Sequence, residues 1–158
     1  MRPHRAAPLL AIATLLAAPA VASADLESTT TINGEVPPGT AAKLADLTVV
    51  TDTVGIDGNR LLVMQGIRKP GTRAPIQYHD YGSRMCVTAG TMTHFVEGAD
   101  PVIYPSGSCY DMPADTVMTA ANLAEEDALL VMTFNGATKE PTTIVLEPNW
   151  PDLTDPTG

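Results

Sequence analysis

The sequence predicts an all-β single domain, a sandwich or barrel of short strands, and three observations carry that reading. From Leu47 to Leu146 the chain falls into short runs rich in Val, Ile, Thr and Tyr, residues that suit a pleated, half-buried surface. Gly, Pro, Asp or Asn separates most of these runs, and such breakers come too often for long helices. Asp57-Gly58 and Asn135-Gly136 are dipeptides that supply the positive φ angles of tight hairpin turns. Many short strands punctuated in this way fit a β-sandwich or barrel.

The elements follow in order. Residues 1–24 read as a secretory signal, with Arg2 and Arg5 as the positive start, Ala6–Ala18 as the apolar stretch and Ala22, Ser23 and Ala24 as the small-residue cleavage site. Cleavage is expected between Ala24 and Asp25. The apolar stretch is shorter than the ~20 residues a membrane span needs, so a soluble product, without membrane insertion, in a periplasm or outside the cell is expected. Residues 25–45 read as a flexible leader, because residues 25–40 are rich in Thr, Glu, Gly and Pro and show no apolar period. Within it Thr40 could cap a short helix from Ala41 to Ala45. The barrel is expected over residues 46–147. Its runs are Leu47–Thr53, Arg60–Ile67, Ile76–Tyr81, Arg84–Thr88, Thr91–Val96, Val102–Tyr104, Ser108–Met112, Val117–Ala120, Ala128–Phe134 and Thr142–Leu146. Residues 148–158 read as an irregular tail in which Trp150 covers one end of the barrel.

Without the signal the chain keeps 134 of its 158 residues, enough for one domain with its own core. Its formal charge becomes −11, since Arg2 and Arg5 leave and all eighteen acids stay. Phosphate backbones repel such a protein, which argues against a nucleic-acid partner. The basic group Arg60, Arg68, Lys69 and Arg73 reads as a solvated strand edge, with an anion site as the alternative.

Two spaced motifs carry a closer resemblance. The first runs Gly71, five residues, Gln77, Tyr78, His79, three residues, Ser83, six residues, Gly90. The second runs Gly107, five residues, Pro113, one residue, Asp115, two residues, Met118, three residues, Asn122. These spacings resemble the two motifs of the cupin superfamily, whose usual pattern carries His, His, Glu and a second-motif His as metal ligands. Of those four slots only His79 keeps its residue. The framework positions Gly71, Gly90, Gly107, Pro113 and Asn122 are kept, and one Gly slot holds Asp115, which visits the left-handed region more readily than most residues. The resemblance implies a jelly-roll barrel, a double-stranded β-helix, with Gln77, His79, Ser83 and Met118 facing its interior. Monomers or homodimers are implied with it.

Cys86 and Cys109 both lie in the exported part, where oxidising conditions favour pairing, and the resemblance sets them on neighbouring strands. Such a bridge contributes about 3 kcal/mol in the chain-entropy model.

One imidazole, one amide, one hydroxyl and one thioether are a poor donor set for Mn, Fe, Zn or Ni. The expectation is therefore a pocket for a small molecule, lined by Gln77, His79, Ser83 and Met118, with Tyr78 and Tyr81 at its rim and no cofactor. The rival is an oxidoreductase holding Cu or Fe on His79, Gln77 and Met118, with Met85, Met112 or Met132 as further thioethers for Cu(I). A barrel filled by its own side chains, acting as an interaction module, is a third reading. His94 shares strand parity with Met92 and Val96 and reads as a packed residue. Hydrolysis has little support, since Ser83 lacks a nucleophile elbow, and the acids Glu125, Glu126 and Asp127 read as a solvated loop.

Overall fold

The computed structural model describes residues 27–137 and 142–150. Twelve strands lie among them: β1 (Thr40–Ala41), β2 (Ala45–Val54), β3 (Asn59–Arg68), β4 (Thr72–Arg73), β5 (Gln77–Tyr78), β6 (Ser83–Ala89), β7 (Thr91–Val96), β8 (Val102–Pro105), β9 (Cys109–Met112), β10 (Met118–Asn122), β11 (Ala128–Ala137) and β12 (Ile144–Val145). Alternation builds the core. Along β11 every second residue, Ala128, Leu130, Met132 and Phe134, is buried, while Leu129 between them is exposed. The same period buries Met85 and Val87 on β6 and Tyr110 and Met112 on β9.

Five strands form one antiparallel sheet in the order β2-β3-β11-β6-β9. The other seven form a second sheet centred on β10, which pairs with β7 along one edge and with β4 and β5 along the other. β8 extends it beyond β7, β12 pairs with β5, and β1 lies parallel to β4. One core cluster joins inner residues of both sheets, including Leu62, Leu130 and Phe134 from the first and Met92, Met118 and Ala120 from the second. All of β10 is buried. A second cluster of Ile32, Ile76 and Leu146, with Tyr78, Phe95 and Val117 against it, accounts for this: Phe95 and Val117 have the opposite parity to the inward His94 and Met118. The seven-stranded sheet is thus covered on both faces.

The cysteines are cross-strand partners on β6 and β9 and form a disulfide, on the neighbouring strands that the resemblance implied. Asp57-Gly58 joins β2 to β3 with Gly58 at φ +81°, as expected.

Three expectations are corrected. Residues 27–45 are not a flexible leader: Thr29 N donates to Leu146 O, Ile32 is buried, and Asn33 bonds to Val96, Glu97, Gly98 and Ala99. No helix follows Thr40. Its N–H donates to Gly71 O and that of Ala42 to Arg73 O, so sheet pairing takes the donors of a segment too short to nucleate a helix. Asn135-Gly136 is no turn, since β11 runs through it and pairs Asn135 with Leu61 and Gly136 with Arg60. The glycine serves packing instead, because a Cβ there would stand 2.9 Å from the Tyr81 ring.

The signal expected over residues 1–24 and the tail beyond Trp150 lie outside the described residues. Trp150 itself is half-buried. Among the described residues no helix is long and apolar enough to cross a membrane.

Candidate ligand-binding site

The motif positions act first on the backbone. Gly71, Gly90 and Gly107 have φ of +68°, +74° and +85°, and Asp115 in the substituted slot has +52°, so all four hold left-handed turns. Asn122 is fully buried. Its amide donates to the carbonyls of Arg68 and Glu126, and its Oδ1 accepts from Ala124 N, which pins the turn after β10 to the end of β3.

Between the sheets lies a cavity of about 310 Å³. Met64, Met85, Met112, Met132 and Phe134 supply its apolar wall, Arg68, Gln77 and His79 its polar one, and the exposed Lys43 and Leu47 stand where it meets solvent. Thr142 and Thr143 close the side next to His79. A second void of about 20 Å³, roughly the size of one water, lies among Arg68, Gln77, His94, Met118 and Thr119.

His79 is 1% exposed. Its Nδ1 lies 2.6 Å from Thr142 O, and a carbonyl only accepts, so the tautomer assigned by this bond carries its proton on Nδ1. Nε2 is then a lone-pair acceptor, and it is buried without a hydrogen-bond partner. Phe134 meets the ring edge-on at 5.5 Å. Burial holds the pKa of His79 below its ordinary value, against the opposing pull of Thr142 O and Asp80, so the ring is neutral at neutral pH.

Of the residues expected at the pocket, Gln77 and His79 line the cavity. Met118 pairs with Gln77 across β5 and β10 and faces the small void, where its Sδ lies 3.4 Å from His94 Nε2. Ser83 lines neither space, and its Oγ is buried without a partner. Tyr78 packs against the outer cluster with Ile32 and Ile76, and Tyr81 is exposed over Gly136. Neither tyrosine stands at the rim, because the cavity opens on the side of Lys43 and Leu47.

The basic group is also corrected. Arg60 and Lys69 do lie at the surface, where they pair with Asp52 and Asp127, but Arg68 and Arg73 are each only 5% exposed. Arg73 forms a bidentate pair with Glu147 at 2.6 and 2.7 Å. Arg68 was legible in principle: Leu62, Met64, Gly66 and Arg68 share one parity on β3, the inward one. His94, read as packed, is buried and tilted against Tyr110 at 4.5 Å. Burial, with a smaller contribution from His79, pushes its pKa down to about 4.

The residues at the four slots do not fit the metal usual for such motifs. Only one is an imidazole, and the Met118 sulfur is engaged by His94. A guanidinium on the same wall opposes a cation. Among the described residues no three His, Cys, Asp or Glu side chains group as a metal site requires.

No family model matches the sequence, and no curated protein matches it. Solved structures do. The DMSP lyase DddQ from Ruegeria pomeroyi superposes with a TM-score of 0.54 at 13% identity, over 68% of this chain and 54% of that one. The fold is that of the cupins. A protein with a double-stranded β-helix domain from Klebsiella pneumoniae gives a TM-score of 0.49 at 18% identity, over 74% of this chain and 89% of that one. A cupin 2 conserved barrel domain protein from Salinispora arenicola gives 0.48 at 11% identity, over 58% and 75%. At such identities the cupin likeness describes the fold, and the chemistry has to come from the side chains of this barrel.

Proposed function

We propose that this cupin barrel binds a small molecule and does so without the metal chemistry usual for its fold. The observation that carries the reading is the cavity beside His79. A barrel filled by its own side chains would be packed to native density with its polar atoms paired. Here about 310 Å³ lies open between the sheets, with the buried Nε2 of His79 unpartnered. That volume is at the low end of the range for ligand pockets, and a mostly apolar wall with a few convergent polar groups is their usual composition. The disulfide between Cys86 and Cys109, together with the signal-like residues 1–24, supports action in an exported setting.

One observation favours a second reading. Four methionines and an imidazole line one cavity, a donor set suited to Cu(I), and this would return the chain to redox chemistry. Arg68 in the same cavity weighs against a bound cation.

Thermal unfolding with a panel of small organic compounds, on metal-free protein, separates the two. Stabilisation by one class of compound, abolished by the cavity-filling Ala74→Leu, is the result expected. Stoichiometric Cu(I) uptake under reducing conditions, lost in His79→Ala, with no organic compound stabilising the protein, would replace this reading with the copper one.

A further inference from the structure

Every other arginine among the described residues meets a carboxylate. Arg60 pairs with Asp52, Arg73 with Glu147 and Arg84 with Asp111. Arg68 is more deeply buried than Arg60 or Arg84, at 5% exposure, yet no carboxylate among the described residues pairs with it. Its Nη1 donates to the carbonyls of Ala42 and Arg73, and its Nε is buried with no partner. Burying a charge in this way is costly unless an opposite charge or a full set of hydrogen bonds offsets it. Arg68 lines the large cavity, and Met64, Met85, Met112 and Met132 line it too.

The wall thus offers three things at once: one uncompensated positive charge, one lone-pair acceptor on neutral His79, and an apolar surface of thioethers with the Phe134 ring. We infer that the ligand is a small organic monoanion, a carboxylate on an apolar body that also carries a hydroxyl or N–H, with its charge on Arg68 and its donor on His79 Nε2. The inference rests on the barrel being a binding site. A single guanidinium matches a single charge and can hold a carboxylate in a planar fork. Inorganic phosphate, hydrated and more highly charged, would leave the methionine wall unused.

The test is calorimetric titration of the protein at pH 7 with matched pairs: hexanoate against hexanamide, benzoate against benzamide, 3-hydroxybenzoate against benzoate, and inorganic phosphate alone. Each acid should bind about tenfold or more tightly than its amide, and the hydroxylated acid more tightly than the plain one. Arg68→Gln should bring the acid-to-amide ratio close to one while amide binding persists. Arg68→Lys, which keeps the charge, should keep the preference, and His79→Phe should remove only the gain from the hydroxyl. Equal binding of acids and amides to the unaltered protein would overturn the anion assignment and leave the binding reading standing. Phosphate binding as tight as that of the acids would overturn the organic part. No binding by any probe, acid or amide, would overturn both.

Discussion

Met118 Sδ lies 3.4 Å from His94 Nε2, so the thioether in the last of the four ligand slots engages the histidine of β7. That ring is tilted against Tyr110, whose hydroxyl donates to Met85 Sδ at 2.9 Å. Two methionines of the core are therefore tied together through an imidazole and a phenol. The side chain that the motif spacing sets opposite His79 is held by another histidine, and the consequence is a pH dependence.

His94 is held at about 4 in the folded protein against an ordinary value of 6.5. Its folded pKa is depressed, so below 6.5 the unfolded chain binds a proton that the native ring does not, and stability falls as pH drops from about 6.5 toward 4. The loss is on the order of 3 kcal/mol at full extent. Urea unfolding between pH 7 and 4 should show this decline, and His94→Phe should reduce it, leaving the part that His79, also held below its ordinary value by burial, contributes with the same sign. An unchanged slope in the variant would assign the decline to other groups.

Arg73 and Glu147 form the most buried ion pair among the described residues, with side chains 7% and 15% exposed. Glu147 also accepts from Ile76 N at 3.1 Å, so the pair ties β4 to the end of the barrel strands. Glu147→Gln should cost about 3–5 kcal/mol, because it leaves a buried guanidinium without its counter-charge. Replacing both, as Arg73→Met with Glu147→Leu, should cost less than half as much. Arg73 also holds the Glu147 carboxyl below its ordinary pKa. That contribution is present above the unfolded value of 4.5 and fades as pH falls below it, a window more acid than that of His94.

Cys86 and Cys109 bridge β6 and β9 with Cys109 exposed, on the face away from the cavity. Replacing both by Ser should lower stability by about 3 kcal/mol and leave the affinity for any ligand unchanged. A large loss of affinity in a folded double variant would show that the bridge shapes the cavity wall.

Two framework glycines should respond differently to the same change. An added Cβ at Gly90 would lie 2.4 Å from Asp127 O and 2.9 Å from Ala128 Cα, whereas at Gly107 nothing stands within 4 Å. Both have positive φ. Gly107→Ala should cost about 1 kcal/mol, the left-handed strain alone, and Gly90→Ala about 3 kcal/mol or more, since backbone must also move. Equal losses in denaturant titrations would contradict the packing described at β11.

The strands were legible because their signal is local: alternation places Leu130, Met132 and Phe134 on one face whatever the rest of the chain does. The motif spacings were legible for the same reason, since Gly71, Gly90, Gly107 and Asp115 are set by backbone geometry at single residues. Asn135-Gly136 misled, because glycine marks both turns and close approaches, and the Tyr81 ring that requires it lies far along the chain. Arg68 was read with Arg60, Lys69 and Arg73 as a solvated strand edge, an anion site being only the alternative, because its charged neighbours made the cluster look like surface, although its parity with Leu62 and Met64 pointed inward.

By itself the sequence determined the all-β class, the alternating core residues, the left-handed turn positions and the loss of the usual donors at three of four slots. All of these are properties of one residue or of a short repeat. Only the tertiary structure decided which charges meet. Arg73 finds Glu147 across a sequence separation of 74 residues, Met118 turns to His94, and Arg68 is left facing the cavity with no carboxylate of its own among the described residues. A side chain's type and parity are local, whereas its partner depends on which strands the sheets bring together.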